Sequence, residues 1–467
     1  MTRRGAAWPG MARRDLALCA LGIGIVLAVA AGLAQRSPVD AGGMDRHRAV
    51  LYVAFAAVAG ALYAAAVWQV LRWPAGRGVL PAVLLLGLAM RALTLGSPPL
   101  LSTDLYRYVW DGRVQAAGIN PYLHVPAAPE LAHLRDEGAG AEAIYPNINR
   151  AGFAPTIYPP AAQAVFAAAG MLWPTIWGMK AAMLAFDLLG IGAALLLLRS
   201  AGLPQGRVLI LAWNPLVVWE FAGGGHIDAA ALGLSGLALL AAARRHPVAA
   251  GLALGAAVLC KLLPAALVPA LWRRWDLRLP LALGGLVAVG YAAYALGGWG
   301  AGWRVLGYLP GYASEEGLGS GGGFFLLRLW ALLGAVLGWA VPGWAVPAYA
   351  ALAGAGLLAL AARVALRAPL PEAAADRTAT ICRDAVWLTG ATMFALSPHY
   401  PWYFTALALP CVVAPVPAAL WLTLAAPVLY LDHGLGQVAA PAVLFLPAAA
   451  LLAAQLFHRQ ARPALPA

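Results

Sequence analysis

The sequence predicts an all-α, polytopic membrane protein of about 12–14 transmembrane helices, with interfacial helices in two large outer loops. Three observations carry this. The 467 residues are 62% hydrophobic and only 11% charged, with a mean hydropathy of +0.76, whereas a soluble domain carries roughly 25% charged residues. Apolar runs of about 20 residues, the length that crosses a bilayer as a helix, recur from end to end. Those runs do not alternate apolar with polar residues, which excludes a transmembrane β-barrel.

The net charge of +12 comes almost wholly from arginine, since Lys180 and Lys261 are the only lysines. In a membrane protein such a bias reflects positive residues held in cytoplasmic loops, so no nucleic-acid partner is implied. Cys19, Cys260, Cys382 and Cys411 stand singly, without the spacing of a metal site; neither a disulfide nor a zinc site is expected.

Arg3, Arg4, Arg13 and Arg14 precede the first span, 16–34, and place the N-terminus in the cytoplasm. That run is long for a signal-peptide core and is read as a retained helix. A short outer loop with Arg36, Asp40 and Asp45 leads to span 49–71, and Arg72 and Arg77 mark a cytoplasmic turn before span 79–96. The first large outer loop then covers 97–160, and so long a connection in a compact membrane protein is usually functional. Within it 101–118 can form an amphipathic helix on the membrane surface, with Leu105, Tyr108 and Val109 on one side and Asp104, Arg107 and Asp111 on another. A second interfacial helix is expected at 161–172.

Span 177–198 ends at Arg199, and span 208–221 runs out into Ala-Gly-Gly-Gly-His-Ile-Asp on the outer side. The chain returns to Arg244 and Arg245, then forms a broken hairpin over 249–272 that rises to Lys261 and falls back to Arg273, Arg274 and Arg278. Span 279–296 leads to the second outer loop, 297–324, with Trp299, Trp303, Tyr308, Tyr312, Glu315 and Glu316. A further interfacial helix is expected at 324–340. Segments 347–366 and 384–396 cross inward and outward, the latter to Ser-Pro-His-Tyr-Pro-Trp-Tyr at 397–403, and three last spans bring the C-terminus inside beside Arg459 and Arg462. The chain divides into two N-terminal helices (1–78), a central module (79–403) and C-terminal helices (404–467).

This topology collects the unusual polar residues on the outer face: Asp104 to Arg113, Tyr158, His226 with Asp228, Lys261, and His399 to Tyr403, with Glu315 and Glu316 beside them. Ionisable groups near hydrocarbon are costly and by default suggest function. Each has a plainer reading. Asp104 could pair with Arg107, with Thr103 capping the helix; Asp111, four residues past Arg107, is assigned a structural role. His226 and Asp228 could simply end a helix after three glycines. Lys261 has no local counter-ion and cannot snorkel from mid-run. His399, Trp299 and Trp303 could be interfacial anchors; Lys180 and Asp187 are read as structural.

Four stretches resemble the GT-C superfamily of membrane glycosyltransferases that use polyprenyl-phosphate sugars. They are Asp104-Leu-Tyr-Arg-Tyr through Gly-Ile-Asn-Pro-Tyr122, Tyr158-Pro-Pro, His226-Ile-Asp228 with Lys261 and Pro264, and Ser397-Pro-His-Tyr-Pro-Trp-Tyr403. The likeness covers roughly 80–403 and is closest to the bacterial polyprenol-phosphate-mannose mannosyltransferases; its order and spacing are more specific than any one motif. The resemblance implies a hexosyltransferase, mannose favoured, working on the outer face of the inner membrane of the cell envelope. Its catalytic base would be Asp104, matching the family's aspartate early in the first outer loop. Many relatives carry an acidic pair there; Thr103 replaces the second acid, which leaves metal dependence open, and no cofactor beyond the donor is expected. In the inverting transfer this implies, Lys261, Arg107 and His399 are candidates to hold the donor phosphate. His226, Asp228, Tyr106, Tyr158, Tyr400 and Glu315 are candidates for the sugar or the acceptor. Partners would be membrane lipid, the polyprenyl-linked donor and a lipid or glycan acceptor. The rival reading is a transporter or lipid flippase, which should show polar residues at the bilayer midplane or on both sides.

Overall fold

The computed structural model describes residues 13–34, 46–73, 76, 78–136, 142–297, 299–367, 369–431 and 436–460. Arg3, Arg4, Arg36, Asp40, Asp45, Arg77 and Arg462 lie outside them, as does the side chain of Arg459. All regular structure among the described residues is helical. α1 (Arg13–Ala34), α2 (Arg46–Arg72) and α3 (Val79–Leu95) pack together. α4 (Asp104–Ala116) and α5 (Pro160–Leu172) form a crossed pair, followed by α6 (Ile176–Ser200). A broken arm ending in Pro215–Gly223 leads into α7 (Asp228–Ala243), then α8 (Pro247–Cys260) and α9 (Arg278–Ala295). The C-terminal half holds α10 (Leu309–Glu315), α11 (Phe325–Leu337), α12 (Ala345–Ala365), α13 (Ala374–Leu396), α14 (Pro417–Ala425) and α15 (Gly436–Gln460).

Among the described residues, six helices are long and apolar enough to cross a membrane, and the bent pair Pro215–Gly223 with Asp228–Ala243 makes a seventh unit. Five shorter apolar helices stand beside them, so the twelve to fourteen crossings read from sequence include segments below full spanning length. α12 buries only 6% of its most apolar window inside the protein, as a helix facing lipid would. One hydrophobic core runs from Leu18 to Ala448, through all three of the regions read from sequence.

The helix expected on the membrane surface is α4, and it is enclosed by protein instead. Every residue from 105 to 112 is buried, packed on α5 and α6. Its polar side is satisfied internally rather than by water. The Asp111 carboxylate accepts from Arg107 Nε at 2.7 Å, from Thr156 and from Gln163 Nε2 at 2.9 Å. Gln115 joins Gln163 at 2.8 Å and accepts from the Tyr294 hydroxyl at 2.8 Å. Asp111 is thus the hub of a buried network, its assigned structural role. α4 meets α5 backbone to backbone at Gly112, where a Cβ would collide with the Phe166 carbonyl.

The two outer loops are latched to each other. Asn120 Nδ2 donates to the carbonyls of Tyr294 (2.9 Å) and Trp299 (2.8 Å), and Trp299 Nε1 donates to the Gly118 carbonyl at 2.8 Å. Trp299 is therefore a tie between loops rather than a free anchor at the membrane edge. Gly307, at φ +55°, lies against the Thr156 carbonyl, which accepts from the Tyr308 amide at 3.1 Å.

Lys180 and Asp187 on α6 tie the helices together. Lys180 Nζ caps the end of α3 on the carbonyls of Thr94, Leu95 and Ser97. Asp187 makes a two-pronged, fully buried pair with Arg91 at 2.6 and 3.0 Å, and Arg91 also reaches the Ala212 carbonyl at 2.6 Å. Removing one partner strands a buried charge. Asp187→Ala is predicted to destabilise the protein by about 3–5 kcal/mol. Unfolding of the detergent-solubilised protein checks it; a change under about 1 kcal/mol would mean that the pair is solvated.

Candidate active site

Three breaks in otherwise helical runs bring the outer polar residues together. The first follows Gly223. A π-helical turn, Val218–Gly223, ends in glycines, with Gly225 at φ +70° where any side chain would meet Leu105 and Lys180. The helix axis bends by 118° here, which turns His226 inward and starts α7 at Asp228. The second is the end of α8, where Lys261 adopts an extended backbone (φ −157°) and Pro264 opens a 3-10 turn. The third is the end of α13, where Ser397 takes a left-handed conformation (φ +47°) before Pro398 and Pro401.

Between these breaks and the outer loops lies a cavity of about 1310 Å³. Asp104, Arg107, Tyr158, Lys261 and Glu315 open onto it, as do His399 and Tyr400. Three candidates do not line it. Tyr106 is wholly buried, and its neighbour Tyr108 faces the cavity instead, held edge-on to Tyr158 at 4.9 Å and stacked on Phe166 at 4.5 Å. The helical turn decides this: Tyr108 shares the side of Asp104, four residues before it, and Tyr106 does not. Asp228 is set back behind Lys261, and His226 behind Asp104.

Asp104 begins α4 with one fifth of its side chain exposed. The plainer reading of it fails on both counts: Arg107 pairs with Asp111, and the Thr103 side chain makes no capping bond. Asn149 Nδ2 donates to Asp104 Oδ1 at 3.2 Å, and His226 Nδ1 stands 3.9 Å from Oδ2. Burial pushes the Asp104 carboxyl above its ordinary range, against the Asn149 hydrogen bond and the charges of Arg150 and Lys261. A carboxylate so placed is a stronger base than one in water.

The counter-ion that the sequence did not offer Lys261 is Asp228, 33 residues earlier, with both oxygens 2.8 Å from Nζ. The ammonium also lies 3.8 Å from the centre of the Tyr403 ring. Asp228 is thus engaged directly by Lys261. Arg107 is likewise engaged, with Asp111 and with the Ala154 carbonyl at 2.9 Å. His399 sits between Glu316 (3.1 Å from Nδ1) and Arg328 (2.7 Å from Nε2). Arg328 therefore brings a further cation to this corner of the cavity, beside His399.

Sequence reasoning missed Arg150, Arg328 and Glu220. Arg150 reaches into the cavity from the first outer loop and pairs with Glu315 at 2.8 Å, and Glu315 also accepts from the Tyr308 hydroxyl at 2.7 Å. Glu220, fully buried, accepts from the Tyr430 hydroxyl at 3.0 Å. Arg328 and Glu220 are isolated charges in apolar runs, the same signal that singles out Lys261. Among the described residues, no group of three or more His, Cys, Asp or Glu gathers closely enough to hold a metal ion.

Burial pushes the Glu316 carboxyl up, but the His399 hydrogen bond and charge, the Tyr312 hydroxyl and Arg150 outweigh it and hold it below its ordinary 4.5. A lowered carboxyl contributes its full stability above the unfolded value and loses it as pH falls through the folded one. Glu316→Gln should therefore cost about 1 kcal/mol or less at neutral pH, with variant and parent converging as pH falls through the lowered Glu316 value. Thermal unfolding in detergent at neutral and acid pH checks this; an equal gap at both would show that the carboxylate charge is not involved.

Residues 10–275, more than half of the chain, match a family described as MptA_B family, alpha-(1->6)-mannopyranosyltransferase, N-terminal domain. The matched region contains Asp104, Arg107, His226, Asp228 and Lys261, while Glu315, Arg328, His399 and Tyr400 lie beyond it. No curated protein and no solved structure matches the chain.

Proposed function

The chain belongs to the alpha-(1->6)-mannopyranosyltransferase family and is a glycosyltransferase, and from that premise we propose that it moves mannose from a polyprenyl phosphate to a lipid or glycan acceptor, with Asp104 as base. The observation that supports this reading is the shared cavity: Asp104 and Lys261 open onto one space, walled by further cations and aromatic rings. Its rim includes the half-exposed apolar residues Leu262, Leu306 and Leu332, against which a prenyl chain can lie.

In the proposed reaction the acceptor is a primary hydroxyl, as the 1→6 linkage in the family's description requires. Asp104 takes its proton as the oxygen attacks the anomeric carbon. The anomeric C–O bond to phosphate breaks, and its electron pair leaves with the polyprenyl phosphate. Attack opposite the leaving group inverts the centre, so a β-linked donor yields the α product of that description. The leaving phosphate gains negative charge, and Lys261, Arg107, Arg150 and Arg328 are cations on the cavity wall that would stabilise it. Tyr108 and Tyr158 offer ring faces to the sugar. The site lies on the extracytoplasmic side if the arginine-rich turns lie in the cytoplasm.

Asp104→Asn, supplied in membranes with radiolabelled polyprenyl-phosphate mannose, is predicted to lose on the order of 10²- to 10⁴-fold in transfer rate. Transfer at the parent rate removes Asp104 as base. For the phosphate site, Lys261→Ala combined with Asp228→Asn removes the cation without stranding its buried partner. The expected result is a kcat/KM for the donor lowered on the order of 10-fold or more, the loss of one charge-assisted contact of about 1.5–3 kcal/mol. An unchanged kcat/KM for the donor makes the pair purely structural.

A further inference from the structure

His226 lies behind Asp104, wholly buried, yet neither of its ring nitrogens has a hydrogen-bond partner. A buried polar atom in that state costs about 1–3 kcal/mol, so the arrangement needs a reason. The ring is fixed flat against Trp402, 4.1 Å between centres, and Trp402 is in turn stacked on Tyr400 at 4.6 Å. This clamp aims Nδ1 at Asp104 Oδ2 (3.9 Å) and Nε2 at Glu220 Oε2 (3.4 Å). Glu220 continues the line, because both its oxygens accept from the Tyr430 hydroxyl at 3.0 and 3.1 Å. Tyr430 lines the same cavity as Asp104. A file of exchangeable groups thus leaves Asp104, passes through the protein, and returns to the cavity at another place.

We propose that Asp104, His226, Glu220 and Tyr430 form a proton relay that restores Asp104 after each transfer. It rests on the reading of Asp104 as base. With acceptor and donor filling the cavity, water reaches the Asp104 carboxyl poorly, and the proton it has taken needs another exit. Asp104 passes its proton to His226 Nδ1 as His226 Nε2 passes its own to the Glu220 carboxylate. One N–H bond forms and one breaks; the ring stays neutral but is left as its Nδ1–H tautomer, Asp104 regains its charge and Glu220 becomes the neutral acid, and the ring regains its Nε2–H form by proton exchange with water between turnovers. Glu220 then protonates the Tyr430 oxygen while the Tyr430 hydroxyl gives its proton to cavity water. Both nitrogen contacts are longer than hydrogen bonds, as catalytic contacts commonly are before substrate closes a site. His226 and Glu220 act through Asp104 and are positioning residues, unlike the direct sugar contact read for His226 from sequence.

The test measures kcat and KM of His226→Gln, Glu220→Gln and the double variant in detergent, with equilibrium binding of polyprenyl-phosphate mannose. Expected are losses in kcat on the order of 100-fold for each single variant, KM and donor binding within about twofold of the parent, and no further loss in the double variant. A raised KM with unchanged kcat assigns His226 to the sugar and overturns the relay, and so do losses that add. Should the buried substitutions not fold, Tyr430→Phe at the cavity wall decides: a normal kcat overturns the relay and a lowered one supports it. Normal His226→Gln kinetics with inactive Asp104→Asn would reject the relay alone, while active Asp104→Asn would reject the base itself.

Discussion

The Lys261–Asp228 pair is the interaction on which the arrangement of the site depends. Neither partner is stable alone in so apolar a setting, because an unpaired buried charge costs several kcal/mol. Together they fix three elements at once. Asp228 stands in the first turn of α7, where the helix dipole favours a carboxylate. Lys261 caps the broken end of α8, and its ammonium lies over Tyr403, which follows the break after α13. Each of these helices stops in mid-protein, and each stop exposes backbone groups that only a polar interior can tolerate. The pair supplies part of that interior, and the cavity forms where the stopped helices leave space.

The same demand explains the ties between the two outer loops. Loop backbone next to hydrocarbon has to be satisfied by protein. Here the Asn120 side chain, the Trp299 indole and the Thr156 carbonyl do this between one loop and the other. The network centred on Asp111 does it beneath them. Asp104 and Asp111 occupy successive turns of one short helix and have opposite surroundings. Asp111 is saturated with donors. Asp104 receives one long contact from Asn149 and faces open space. A carboxylate with an open oxygen is free to accept a proton from a neighbour in the cavity.

The fold was legible because hydrocarbon length is a simple code. The full-length spans came out within a few residues: 16–34 against Arg13–Ala34, 177–198 against Ile176–Ser200, 279–296 against Arg278–Ala295. The helix at 101–118 was also legible as a helix, but not its place. An amphipathic period says that two faces differ, not whether the polar face meets water or other side chains. The breaks were marked by Gly223–Gly225, by Lys261 with Pro264, and by Pro398, and those marks placed His226, Lys261 and His399 near one another. The pairings were not legible, since Lys261 with Asp228 and Arg150 with Glu315 join residues 33 and 165 positions apart. Pairing sets what each side chain touches: Asp228 holds Lys261, and His399 meets Glu316 and Arg328.

Those commitments bear on how a site rich in cations could favour departure of phosphate over mere binding of it. A polyprenyl-phosphate sugar is a diester with one negative charge, and its leaving group is a monoester that approaches two. Free cations would hold both forms tightly and gain little in rate, because only differential binding accelerates a step. On the wall of this cavity Lys261 and Arg150 each already hold a carboxylate. In the proposed transfer the singly charged donor therefore meets two cations whose charge is largely answered. As the anomeric bond of that donor lengthened, the growing charge would compete better with Glu315 for Arg150 and with Asp228 for Lys261. Contact with phosphate would then strengthen at the point where the barrier lies. Carboxylates that look like rivals of the substrate would on this argument be what keeps the cations in reserve.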